Sequence, residues 1–190
     1  VCDEATLVAW LTDLVEHGSA RTDAILLVEA LRAASAREAA RLCDVNDLAL
    51  ALAPSSERRL ETAQQGRSFH AAIAAAWSNE AVEWASETLT DEIAYPVAVG
   101  IACAAHAIPA RRACEAFALG FVANLVSAAV RLSIIGQTQG QRVLAALAAP
   151  VAALGAKAAL AGLDDLGSSA FRSDIASMRH ETQYSRLFRS

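Results

Sequence analysis

The sequence predicts an all-α fold, a single-domain helical bundle, and three observations lead there. Alanine, the strongest helix former, supplies 46 of the 190 residues. Glycine and proline together number 13, too few for the turn-rich chain of a β-sandwich or barrel. Aromatic residues make up only 5% of a chain that is 55% hydrophobic, so the side chains that favour strands are scarce. At 19.9 kDa the chain has the size of one domain with ample length for a core. Its apolar content and modest net charge of −5 exclude disorder.

The helices can be justified in order. Leu7, Trp10, Leu11, Leu14 and Val15 follow i, i+3, i+4, i+7, i+8, and Gly18 supplies a stop. Thr22 or Asp23 caps a second helix through Leu31. Ser35-Ala-Arg-Glu38 has the capping-box pattern and opens a third, with Leu42, Val45 and Leu52 inward and Pro54 beyond its end. Ser55 or Ser56 starts a fourth towards Trp77, and the acidic stretch 80–92 gives a short helix and a connection. Pro96 begins a helix to about His106, and Pro109 suits the first position of the next. That helix, about 110–133, is roughly 36 Å long at 1.5 Å per residue. Being apolar nearly all round, it is expected to be the buried central helix of the bundle. Its exceptions, Gly120, Asn124, Ser127 and Arg131, are spaced four, three and four apart and form one polar stripe. Such a stripe is either hydrogen-bonded within helix packing or a seam at a subunit contact or water-filled passage. Thr138-Gln-Gly-Gln141 opens a helix to about Ala161, which Pro150 is expected to kink or divide.

The last twenty residues differ in kind. From Phe171 to Ser190 four Arg stand against Asp174 and Glu181, a net +2, whereas residues 1–110 carry seven Arg against sixteen acids, a net −9. Leu166-Gly167-Ser168-Ser169 has the composition of a hinge before this segment. The organisation expected is a helical domain over 1–166 and an extended or partly helical tail over 167–190. Arg179, His180, Glu181, Tyr184, Arg186, Leu187, Phe188 and Arg189 are the tail's candidate partner-binding residues, Arg and aromatics being the types that dominate interfaces.

Mean hydropathy of +0.32 raises the question of a membrane span. The charge-free runs Ile93–Ala110 and Ala116–Val130 are short, broken by polar residues or proline, and lack aromatic belts and basic flanks, so both read as helices buried in protein. Asp3 and Glu4 stand where the basic region of a signal peptide belongs, and the expected location is the cytoplasm. The chain begins at Val1, which reads as processed, trimmed or partial. Cys2, Cys43, Cys103 and Cys114 form no CxxC pair and suit reduced core positions rather than a zinc site. GxxxxGK[ST], HExxH, GxSxG and GxGxxG are all absent, and His17, His70, His106 and His180 are scattered. Neither Asp91-Glu92 nor Asp164-Asp165 suits an acid/base dyad, since helix neighbours point about 100° apart. An isoelectric point near 5.4 offers no basic face to a nucleic acid. No catalytic residues, metal ligands or directly bound cofactor emerge.

Four segments, and a fifth more weakly, carry a resemblance. Tyr95-Pro-Val-Ala-Val-Gly100, Phe121-Val-Ala-Asn-Leu-Val-Ser-Ala-Ala-Val-Arg131-Leu and Gly136-Gln-Thr-Gln-Gly-Gln-Arg142 resemble the urease accessory protein family UreF. The tail from Asp174 to Ser190 is similar to that family's C-terminal signature, and Ser56-Glu-Arg-Arg with Gln65-Gly66 to a weaker motif. The family's N-terminal helix, with its Pro-Val-Gly-Gly/Ala-Phe-Ser type segment, has no counterpart in the chain. The resemblance implies an all-α, homodimer-forming, non-catalytic protein that binds UreD (UreH) and recruits the GTPase UreG to deliver nickel to apo-urease. Nickel is then handled by the complex, with no membrane or nucleic acid involved. Two other readings stand beside it. One is direct regulation of UreG, for which an arginine finger is chemically suitable although fifteen arginines give no basis for choosing one. The other is a helical interaction scaffold of undefined role. Nickel binding by the chain itself has only dispersed Cys and His in its favour.

Overall fold

The structure, a computed structural model, describes residues 1–181. Among them all regular structure is helical: α1 (Glu4–His17), α2 (Ser19–Ala36), α3 (Ala39–Ala51), α4 (Ser56–Ala76), α5 (Glu80–Thr88), α6 (Tyr95–Ala105), α7 (Ala110–Arg131), α8 (Gln137–Ala158), a 3-10 turn at Leu163–Asp165, and α9 (Phe171–His180). The all-α expectation holds, and the expected bundle resolves into two compact units. One comprises Val1–Ile25 and Ala110–Ala170, the other Leu26–Pro109 and the segment from Phe171.

In the first unit α8 packs on both α1 and α7. Asp3 caps α1 by accepting from the Thr6 amide at 2.8 Å, and Leu7, Leu11, Leu14 and Val15 are buried, as their spacing predicts. Glu4 takes both carboxylate oxygens to Arg142 at 2.9 and 2.7 Å, tying the start of α8 to the start of α1. Gly155 lets α8 approach α7, since a Cβ there would lie 2.5 Å from the Glu115 Cγ and 3.1 Å from the Arg111 carbonyl oxygen.

Several expectations need correction here. The second helix starts at Ser19 rather than after Thr22 or Asp23, because the Gly18 carbonyl already accepts the Arg21 and Thr22 amides. Helix α8 begins at Gln137, where the Gln139 side chain accepts the Gly136 amide at 2.7 Å. Pro150 sits inside it without dividing it. In the segment 166–169, Ser169 donates its amide to the His17 carbonyl at 2.8 Å, and the Gly167 carbonyl accepts from Arg21. Helix α7 is long and apolar enough to cross a membrane by length and composition, yet it is not buried all round. Only 33% of its most apolar stretch is covered, by a single stripe that includes Cys114, Ala118, Val122 and Val126.

The second unit is assembled around α6, which packs on α3, α4 and α5. Buried Asn46 of α3 donates to the Glu92 carbonyl at 2.8 Å and accepts the Ala94 amide at 2.9 Å, fixing the strand of chain that enters α6. Thr62 of α4 accepts the Tyr95 amide at 3.1 Å, and Phe69 meets the Tyr95 ring edge-to-face at 5.7 Å. The capping box expected at Ser35 does not form. Ser35 lies in the last turn of α2, Arg37 ends that helix in the left-handed region (φ 56°), and the Glu38 carboxylate turns to Arg41. Arg37 is held there by Glu80 and by the face of Trp84, 5.1 Å from the ring centroid.

His70 of α4 is buried with its Nε2 2.8 Å from the Ser86 hydroxyl of α5. Ser86 spends its own hydrogen on the Val82 carbonyl at 2.9 Å, so Ser86 accepts and the neutral His70 carries its proton on Nε2. Burial holds the His70 imidazole below its ordinary value of 6.5. The unfolded chain therefore takes up this proton before the folded one. The His70 contribution to stability is complete above pH 6.5 and is lost as the pH falls from there through the lower folded-state value. Thermal unfolding at stepped pH is expected to show this loss, and His70→Gln to flatten it. Equal slopes in both proteins contradict the assignment.

Candidate functional site

The two groups of residues singled out from sequence sit in different units and have different surroundings. Gly120, Asn124, Ser127 and Arg131 of α7 are all exposed in the first unit. A Cβ at Gly120 would meet nothing within 4 Å. The stripe is thus on the outside of the unit.

Of the tail candidates, Arg179, His180 and Glu181 are described, whereas Tyr184, Arg186, Leu187, Phe188 and Arg189 lie outside the described residues. The described three do not share a role. Glu181 caps α4, accepting from the Ser56 amide at 2.5 Å and the Ser56 hydroxyl at 2.7 Å. His180 Nδ1 lies 2.6 Å from a carboxylate oxygen of Glu57, and Ser177 Oγ is 2.8 Å from Ser55 Oγ. Ser55 also caps α4 by accepting the Arg58 amide at 3.2 Å. Arg179 is exposed. His180 and Glu181 thus engage their own chain.

Helix α9 packs the wrong way round for an ordinary amphipathic helix. Its Ser177 and His180 side, with Glu181 just beyond its end, is turned to α4, while Phe171, Ile175 and Met178, spaced i, i+4, i+7, remain 66%, 48% and 50% exposed. Arg172 and Arg179, seven apart and so on one flank beside that stripe, are exposed as well. No residue of α9 is buried. Sequence reasoning weighed the Arg and aromatic types in this segment and passed over Phe171, Ile175 and Met178. Their helical spacing was the available signal. The α4 partners Ser55, Ser56 and Glu57 had no local signal, being 122 to 125 residues away.

Other features offer less chemistry. Among the described residues no three His, Cys, Asp or Glu side chains come together as a metal site. Burial raises the Cys103 thiol above its ordinary value, which keeps it protonated and unreactive. A groove of about 410 Å³ in the first unit, between α1, the start of α2 and α8, is walled by apolar residues including Ile25, Leu154 and Leu160. Arg21 and Lys157 there are balanced by Glu16 and Asp165, so it selects no ligand by charge.

A family model described as UreF matches residues 1–148. The chain is 54% identical over 188 residues to the urease accessory protein UreF of Xanthobacter autotrophicus, covering 99% of this chain and 77% of that protein. It is 52% identical over 190 residues to the protein of the same name from Methylobacterium radiotolerans, covering 100% of this chain and 83% of that one. With the same-named protein of Rhodopseudomonas palustris strain BisA53 it shares 50% identity over 188 residues, 99% of this chain and 79% of the other.

Proposed function

The chain belongs to the UreF family of urease accessory proteins, and from that premise we propose that it is a non-catalytic adaptor that binds UreD (UreH) and recruits the GTPase UreG. In this reading the complex delivers nickel to apo-urease in the cytoplasm, and the metal is cargo of the assembly rather than a cofactor of this chain. The observation that carries it is the inverted packing of α9, with polar side chains on its own fold and Phe171, Ile175 and Met178 turned outward. An apolar stripe flanked by Arg is suited to the groove of another protein. Tyr184, Arg186, Leu187, Phe188 and Arg189 are assigned to the same contact by their residue types. Homodimer formation is part of this reading, and the exposed α7 stripe of Gly120, Asn124, Ser127 and Arg131 is the surface assigned to a subunit contact. Co-purification with UreD tests the reading. The full chain is expected to retain UreD, and a chain ended at Ala170 to lose it.

A further inference from the structure

We draw no further inference here: the strongest candidate, the surface patch at the shared end of α4 and α6 where Trp77 and Ile108 are exposed, carries none because nothing in the structure shows what covers it.

Discussion

Gly66→Ala is expected to remove the folded second unit from the soluble protein, although alanine is the better helix former. Gly66 lies within α4 where the chain entering α6 crosses it, and a Cβ there would lie 1.9 Å from the Ile93 carbonyl oxygen. The same Cβ would stand 2.8 Å from the carbonyl carbons of Ile93 and Ala94, so only backbone can move aside. That backbone is already fixed by Asn46 and Thr62. Helix propensity favours alanine by about 1 kcal/mol. The forced separation of α4 from the Ile93 chain costs more than about 3 kcal/mol and decides the outcome. Gly120→Ala is the control, since its Cβ enters open space and only the propensity gain of about 0.5–1 kcal/mol is left. Chemical denaturation of both proteins checks the pair. A Gly66→Ala protein as stable as the parent contradicts the packing described.

The second large effect is expected at Asn46. Its amide satisfies one carbonyl and one amide of the Glu92–Ala94 stretch, and both Asn46 and Ala94 are buried. Asn46→Ala leaves the Ala94 amide and the Glu92 carbonyl without these partners and opens a small cavity. Each buried polar group left unpaired costs about 1–3 kcal/mol, so a loss of about 2–4 kcal/mol is expected from the urea midpoint. A loss under about 1 kcal/mol contradicts the role assigned to it. Both substitutions act on the frame that places α4, and thus on the platform for α9.

What was legible in the sequence was whatever depends on near neighbours along the chain. The spacing of Leu7, Leu11, Leu14 and Val15 set the buried face of α1, Ser55 capped α4, and Pro96 opened α6. The same local logic failed at Ser35, because Arg37 found Glu80 and Trp84 far along the chain and ended α2 in the left-handed region. It failed again for α7, whose apolar residues implied burial all round while α8 covers only one stripe. Gly66 stood out only as part of a family motif, since its requirement comes from the Ile93 carbonyl 27 positions away. At the candidate interface the residue types were legible and their division of labour was not. His180 and Glu181 were grouped with Arg179, yet long-range contacts with Ser56 and Glu57 assign them to the chain's own fold.

The adaptor role is tested most directly by measuring how much UreD co-purifies with the full chain and with the chain ended at Ala170, at equal folded concentration. Loss of UreD from the shortened chain, with its remaining helices intact, is the result predicted. Equal retention of UreD by both chains contradicts it, and places the partner surface elsewhere on the molecule.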